Sequence, residues 1–272
     1  MHFTDLKDTE GQRHVLGLSG GKDSAALAVY IKDKYPELSS KMEYFFSDTG
    51  SELKEVYEFL DKLESFLETK IIRLSSGKPF EHWLKVHNDF LPSARQRWCT
   101  RVMKIRPFES FIKDDLVVSY VGIRADENRE GYISQKDTIK PVFPFVEDGV
   151  TRRDVFDILD KSVGVPEYYK WRSRSGCYFC FFQRQDEWLG LKRNHPELFQ
   201  KAKDIEVKSG DGFTWVNGRN LDEVVEHAEK REKEKGILAT DKSTKLERWQ
   251  ELLAQEEDEE DDNDKACLIC TL

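Results

Sequence analysis

A short glycine-rich stretch constrains this chain more than any other feature. The hexapeptide Ser19–Ser24 (Ser-Gly-Gly-Lys-Asp-Ser) follows the apolar run Val15–Leu18 and leads into the apolar segment Ala25–Ile31. That order is typical of a β-strand, a tight loop and an α-helix. Two glycines allow backbone amides to close around an anion, while Lys22 and the amino end of the helix add positive charge. The sequence therefore predicts a phosphate-binding loop.

This loop differs from the Walker A loop. That motif requires glycine at position 16 and serine or threonine after the lysine, where this chain has Leu16 and Asp23. The hexapeptide instead resembles the PP-loop of the N-type ATP pyrophosphatases, which cut ATP between its α and β phosphates, and of their relatives the phosphoadenosine-phosphosulfate (PAPS) reductases. The resemblance implies that ATP and Mg²⁺ bind here, with Lys22 and Asp23 as catalytic residues.

The length and charge of the chain are compatible with a nucleic-acid partner. The 272 residues suffice for one large α/β domain with an appendage. The formal net charge is −9, and the run 256–262 consists only of Asp and Glu, so we expect it to be disordered. The rest of the chain is close to neutral, so the overall acidity does not argue against a polyanionic partner.

The sequence predicts a cytoplasmic protein. Residues 1–5 carry no basic segment followed by an apolar one, and no apolar run approaches the length of a membrane span. We therefore expect no membrane partner. The five cysteines do not suggest a disulfide scaffold at this size, and in a reducing compartment their spacing indicates metal or redox chemistry.

Alternating strand and helix patterns predict an α/β fold with a doubly wound, mostly parallel sheet. Large apolar residues between positions 53 and 67 recur at helical spacing. The predicted strands are Val15–Leu18, Met42–Phe46, Ile71–Leu74 and Leu116–Ile123.

Two further loops are expected beside the hexapeptide, because ligands collect beyond the carboxyl ends of parallel strands. They are Asp48–Gly50 and Gly122–Glu127, and each could equally be an ordinary turn. PP-loop proteins carry similar segments near the nucleotide. The nucleotide-binding residues that the resemblance implies are Ser19, Gly20, Gly21, Lys22, Asp23, Ser24, Asp48, Thr49, Gly122 and Arg124.

A basic segment surrounds the first cysteine. Five Lys or Arg residues lie between Arg95 and Pro107, with Cys99 among them. Such a run is often only a solvated face, but it also resembles the substrate segment of PAPS reductases. Neighbouring cations favour the thiolate of Cys99, which suits either a nucleophile or a metal ligand.

The remaining cysteines form two C-x-x-C pairs, Cys177/Cys180 and Cys267/Cys270. In one arrangement, Cys99, Cys177 and Cys180 hold an iron–sulfur cluster with one open iron, and the last pair is a mobile dithiol. In the other, both pairs form a Cys₄ zinc site. The long separation of the pairs weakens the zinc alternative.

Residues 12–190 resemble the PAPS-reductase-like sulfurtransferases that thiolate nucleic acids, which carry a [4Fe–4S] cluster. The PP-loop is the specific part of this resemblance. The chain lacks the Glu-Cys-Gly-(Leu/Ile)-His motif of true PAPS reductases. Cys267 or Cys270 is the candidate sulfur carrier in its place.

We expect three parts in the chain. Residues 1–190 form the PP-loop domain with its C-x-x-C, 191–255 a helical appendage, and 256–272 an acidic tail ending in C-x-x-C. The helical segments predicted beyond Trp188 are Glu187–Lys203, Leu221–Lys235 and Lys245–Gln255.

The function predicted from the sequence is ATP-dependent sulfur transfer to an adenylated oxygen of a nucleic acid, with a cysteine desulfurase or a similar protein as sulfur donor. One alternative is a reductase of PAPS or adenylyl sulfate. Another is a nucleotide-binding adaptor subunit of a modification or defence complex, which would bind ATP without turnover.

Overall fold

A computed structural model of the chain describes residues 3, 11–127, 136–210 and 212–235. Cys267, Cys270, the acidic run 256–262 and the helix predicted at 245–255 lie outside the described residues.

The centre of the fold is a five-stranded sheet in the order β3-β2-β1-β4-β5, with all neighbouring strands parallel. The strands are β1 (Arg13–Gly17), β2 (Met42–Ser47), β3 (Ile71–Leu74), β4 (Val117–Tyr120) and β5 (Ile139–Val142). The predicted parallel α/β sheet is confirmed. The strand predicted at Leu116–Ile123 is shorter in the structure, and β5 was not predicted.

The three central strands, β1, β2 and β4, are buried on both faces of the sheet, as is typical of a parallel sheet. Leu16 of β1 packs in the larger hydrophobic cluster with residues of α1 and α3, whereas the adjacent Val15 packs in a second cluster with Phe108 and Ile112. Successive side chains of a strand point to opposite faces. Helices therefore cover both faces, which is the doubly wound arrangement.

Helices connect the strands and extend beyond the last one. They are α1 (Lys22–Lys34), α2 (Pro36–Ser39), α3 (Lys54–Leu67), α4 (Phe80–Val86), α5 (Trp98–Thr100), α6 (Arg106–Ile112), α7 (Pro144–Glu147), α8 (Arg152–Asp160), α9 (Gln185–Asn194), α10 (Pro196–Lys208) and α11 (Leu221–Lys235). A π-helical turn at Arg101–Ile105 joins α5 to α6, and a 3₁₀ turn occupies Glu167–Lys170. No helix in these described ranges is long and apolar enough to cross a membrane.

The helical region after the sheet packs against the main core. Trp188, Ala202 and Val224 belong to the same hydrophobic cluster as Leu16. The boundary predicted between the first two parts of the chain, at residue 190, lies inside α9. The helix predicted at Glu187–Lys203 is two helices in the structure, α9 and α10. Proline disfavours helical backbone at the residue before it, so Pro196 ends α9 and begins α10.

We expect Gly190→Ala to destabilise the fold by about 1–3 kcal/mol, because a Cβ there would lie 2.7 Å from Cε3 of the buried Trp171 ring. This overpacking should outweigh the gain of about 1 kcal/mol that alanine brings to a helix. Urea unfolding measures the change, with Lys201→Ala on the exposed side of α10 as the control. An unchanged or raised stability of Gly190→Ala would contradict this account of the packing.

Candidate functional site

The glycines of the hexapeptide allow two close approaches. Gly20 has φ +73°, and a Cβ there would lie 2.5 Å from Cγ1 of Val56 in α3. A Cβ on Gly21 would lie 2.7 Å from Oγ of Ser175. Both distances are shorter than non-bonded atoms accept. The positive φ requires glycine at position 20, whereas a side chain at position 21 would displace the Ser175 hydroxyl.

The amino end of α1 offers backbone amides to a ligand. The N–H of Lys22 donates a hydrogen bond to the hydroxyl of Tyr169 at 2.9 Å. Among the described residues, the amides of Asp23 and Ser24 have no hydrogen-bond acceptor. Unpaired amides and the helix dipole together favour an anion at this position.

A network of ion pairs stands directly beside these amides. The Asp23 carboxylate binds Nζ of Lys22 at 3.1 Å and Nη1 of Arg124 at 2.8 Å. Arg124 also pairs with Asp126 at 2.9 Å and with Glu127 at 2.5 Å. Both cations are largely buried, so Asp23 links the phosphate loop electrostatically to the loop after β4.

Burial and these ion pairs together set the protonation of the network. Burial alone would raise the pKa of Asp23, but Lys22 and Arg124 lower it to about 2. Burial lowers the pKa of Lys22 below its ordinary value, against the attraction of Asp23. The pKa of Arg124 is raised because its carboxylates outweigh its burial. Asp23 is therefore a carboxylate at neutral pH.

The loop after β4 approaches the start of α1 so closely that only glycine fits. A Cβ on Gly122 would lie 3.0 Å from the carbonyl carbon and oxygen of Asp23 and 3.2 Å from the amide nitrogen of Ser24. These are backbone atoms, which cannot move aside as a flexible side chain can. The structure therefore brings Gly122 and Arg124 to the phosphate loop.

The loop after β2 leads from the same edge of the sheet to a cysteine. Oδ1 of Asp48 accepts hydrogen bonds from the Gly50 amide and the Tyr57 hydroxyl, both at 2.8 Å. The Thr49 hydroxyl donates to Oε1 of Glu52 at 2.7 Å and lies 3.2 Å from Sγ of Cys177. Asp48 thus shapes its own loop, while Thr49 faces the C-x-x-C.

One segment, Tyr168–Cys177, joins the C-x-x-C to the phosphate loop. The Tyr168 hydroxyl donates to the carbonyl of Gly20 at 2.5 Å, and that of Ser175 to Oγ of Ser19 at 3.2 Å. The buried Arg172 donates to the carbonyls of Gly176 at 3.1 Å and Cys177 at 2.8 Å. The sequence assigned no role in this site to Glu52, Tyr168, Tyr169 and Ser175. It predicted that the basic clusters Arg95–Arg106 and Lys170–Arg174 guide a polyanionic acceptor, whereas Arg172 is buried and bonds backbone carbonyls.

A narrow cleft of about 10 Å³ lies between these parts of the site. The cleft is lined by the ends of β1 and β2, by the basic segment Arg95–Pro107 and by the segment Tyr168–Cys177. The lining residues are Leu18, Ser19, Phe46, Ser47, Glu52, Lys104, Ser175 and Gly176. The buried hydroxyl of Ser47 has no hydrogen-bond partner among the described residues, so the cleft offers both a charged and an unpaired polar group to a ligand.

The described cysteines are free thiols, and each is partly buried: Cys99, Cys177 and Cys180. Burial, followed by the charge of Glu52, raises the pKa of Cys177 well above its ordinary value. Within the described ranges, no three or more His, Cys, Asp or Glu side chains are grouped to hold a metal ion. The three-cysteine ligand set is therefore not assembled here, and the iron–sulfur cluster stays a prediction.

Comparison with known proteins agrees with the motif. Residues 13–145 match the model of the phosphoadenosine phosphosulfate reductase domain. The match covers slightly less than half of the 272 residues and shows a similarity to that domain. It spans β1 to the start of α7, and so contains the hexapeptide, Asp48, Cys99 and Arg124, but not Cys177.

Two archaeal proteins are similar over most of the chain. The uncharacterized proteins MJ0066 and MJ0973 of Methanocaldococcus jannaschii are 30% and 29% identical to it over 205 residues. These alignments cover 70% and 71% of this chain but only 41% and 47% of the relatives. The chain thus spans less than half the length of either protein.

A search of solved structures finds the PAPS reductase of Candida auris in its phosphate complex. The TM-score is 0.43 and the sequence identity 13%, over 58% of this chain and 74% of that protein.

We expect Asp23→Asn to cost about 3 kcal/mol of stability at pH 7, because it leaves Lys22 and Arg124 partly unpaired in a buried site. The depressed pKa of Asp23 stabilises the fold above about pH 4, and this contribution is lost as the pH falls towards 2. The difference between wild type and variant should therefore shrink over that window. Urea unfolding between pH 2 and 7 measures it.

Asp61→Asn is the matched control, because its carboxylate pairs with Arg73 at 2.9 Å but is exposed. We expect it to cost less than about 1 kcal/mol. A cost of Asp23→Asn that stays the same from pH 7 to pH 2 would contradict the assigned ion pairs.

Proposed function

We propose that this chain is an ATP-dependent sulfurtransferase that activates an oxygen of its acceptor by adenylation. The observation that carries the proposal is the loop at the start of α1. A buried lysine and two amides that have no acceptor among the described residues lie there, at the carboxyl edge of a parallel sheet. Such an arrangement suits phosphate groups. The match to the PAPS reductase domain supports a nucleotide and sulfur chemistry.

The adenylation step forms one bond and breaks one. An oxygen of the acceptor attacks the α-phosphorus of ATP, and the bond to the oxygen that bridges the α and β phosphates breaks, releasing pyrophosphate. Lys22 and the amides of Asp23 and Ser24 would bind the phosphate oxygens and stabilise the charge that develops on them. On binding, phosphate would compete with Asp23 for Lys22 and with the Tyr169 hydroxyl for the Lys22 amide.

The transfer step replaces the activated oxygen by sulfur. The terminal sulfur of a cysteine persulfide bonds to the adenylated atom, and AMP leaves with the oxygen. A second thiol of the chain then attacks the carrier cysteine sulfur, so that the S–S bond to the transferred sulfur breaks and the acceptor keeps that sulfur. The disulfide that forms is reduced by an external thiol reductant. We propose that the sulfur arrives as a persulfide, supplied by a cysteine desulfurase or another protein donor, and that Cys99 or a cysteine of the C-x-x-C pairs carries it. Cys177 is the cysteine that the described residues place beside the nucleotide loops.

Magnesium fits this proposal through its preference for oxygen ligands. Bound to ATP, the ion neutralises charge on the phosphates. Asp23 is ionised at neutral pH and offers carboxylate oxygens beside the amides that would hold those phosphates. Since both oxygens bind cations of the chain in the structure, Asp23 would exchange one of these partners for the ion.

The reductase alternative uses the same loop for a different nucleotide. The name of the matching domain favours PAPS or adenylyl sulfate as substrate, whereas the sequence lacks the C-terminal motif that carries the reductase thiol. Sulfite release from PAPS with a thiol reductant, without consumption of ATP, would favour this alternative. Tight ATP binding without any turnover would favour the second alternative, a nucleotide-binding adaptor subunit.

Lys22→Ala should abolish pyrophosphate release, by a factor of 100 or more, because it removes the buried cation next to the phosphate amides. A coupled pyrophosphate assay measures the rate, and circular dichroism checks the fold. Lys32→Ala is the matched control, since Lys32 lies in the same helix and also contacts an aromatic ring, at 5.2 Å. Equal rates of pyrophosphate release by wild type and Lys22→Ala would contradict the proposed role of the phosphate loop in adenylation.

The cluster is a separate proposal, on which the adenylation step does not depend. Anaerobically purified protein should contain iron and acid-labile sulfide, which Cys99→Ala loses and Cys267→Ala keeps. Metal analysis and the visible absorption spectrum test this. If the protein instead contains zinc, and this zinc is kept in Cys99→Ala and lost in Cys267→Ala, the result would contradict the cluster and support the Cys₄ zinc site.

A further inference from the structure

Three arginines of the described residues lie in two basic segments that the fold brings together. Arg13, Arg73 and Arg193 pair with carboxylates, whereas several other arginines in the described ranges do not. In the part of the chain that the structure describes, Arg97, Arg101 and Arg174 form no ion pair with any residue. Within the described ranges, the charge of these three cations is therefore available to an external anion.

Two of these arginines, Arg97 and Arg174, lie beside one aromatic side chain. The guanidinium carbon of Arg97 lies 5.0 Å from the centre of the Phe182 ring, and that of Arg174 lies 5.6 Å from it. Arg101 follows one turn later, and its amide donates to the carbonyl of Arg97 at 3.3 Å. The fold thus unites two basic segments, 95–106 and 170–174, at one ring.

The ring itself is accessible. Phe182 is only partly buried, and so is Phe181, whose ring centre lies 4.4 Å away at an angle of 41°. Cations close to an accessible aromatic ring are the combination that binds single-stranded nucleic acids, since phosphates pair with the arginines and a base stacks on the ring. A duplex keeps its bases stacked inside and offers only its phosphates.

This surface is continuous with the proposed active site. Arg174 directly precedes Ser175 and Gly176, which line the cleft, and Lys104 lies in the same π-helical turn as Arg101 and also lines it. A strand held at the ring would pass the mouth of the cleft, where Ser19 of the phosphate loop is exposed to a ligand.

We propose that Arg97, Arg101, Arg174 and Phe182 bind a single-stranded nucleic acid and present it to the phosphate loop as the acceptor. The acceptor role rests on the function proposed above, whereas binding can be measured by itself. Base stacking on Phe182 gives preference for single strands over duplexes, and the three arginines give the affinity its dependence on salt.

The test is fluorescence anisotropy with a labelled single-stranded oligonucleotide of about fifteen nucleotides, alone and annealed to its complement. Wild type should bind the single strand more tightly than the duplex. Phe182→Ala should weaken single-strand binding about tenfold, as loss of one base–aromatic stack predicts, while Phe182→Tyr keeps the ring and the affinity. Arg97→Gln and Arg174→Gln should each reduce the slope of log affinity against log salt by about 0.7.

Two controls distinguish this surface from other arginine–aromatic contacts and from the proposed adenylation site. Arg73→Gln should bind normally, because Arg73 also lies over an aromatic ring, at 5.4 Å from the centre of Phe46, but is paired with Asp61. Lys22→Ala should lose pyrophosphate release and keep oligonucleotide binding, so the proposed function and this surface can fail independently.

Three results would overturn the proposal. The first is no binding of the single strand by wild type. The second is equal affinity of wild type, Phe182→Ala and Arg174→Gln. The third is complete displacement of the oligonucleotide by ATP, which would locate it in the phosphate loop instead of on the arginines.

Discussion

The site depends on the carboxylate of Asp23, which pairs with two buried cations at the start of α1. Lys22 belongs to the phosphate loop after β1 and Arg124 to the loop after β4, so this one group links the loops that follow two neighbouring strands of the sheet. The backbone geometry adds to the same contact, because Gly122 lets the second loop touch the main chain of Asp23. A ligand that takes Lys22 from Asp23 therefore changes the charge balance of both loops.

A second constraint links the phosphate loop to the turn that carries Cys177. The segment Tyr168–Cys177 donates to the phosphate loop through Tyr168 and Ser175 and, through Arg172, fixes the turn that carries Cys177. The hydroxyl of Tyr169 accepts the Lys22 amide. Movement at the phosphate loop would therefore be transmitted to the C-x-x-C by hydrogen bonds within one short segment, which suits an enzyme that activates at one and transfers at the other.

Most strands of the sheet and the phosphate loop could be predicted from the sequence, because each is encoded by a local pattern. Strand β1, the hexapeptide and helix α3 follow from alternating apolar runs, glycine and helical spacing. Strand β5 was missed because Ile139–Val142 is short and contains Pro141. The partners of the loop could not be predicted, since Tyr169 lies 147 positions from Lys22 and Arg174 is joined to Arg97 only through Phe182. Such contacts depend on how distant segments pack.

The most direct test of the central claim is the identity of the products formed from ATP. The chain would be incubated with ATP, Mg²⁺ and a single-stranded oligonucleotide, with a persulfide donor present, and followed by phosphorus-31 NMR. The account predicts AMP and pyrophosphate in equal amounts, because the acceptor attacks the α-phosphorus. Formation of ADP and orthophosphate would contradict it, since that outcome requires attack at the γ-phosphorus.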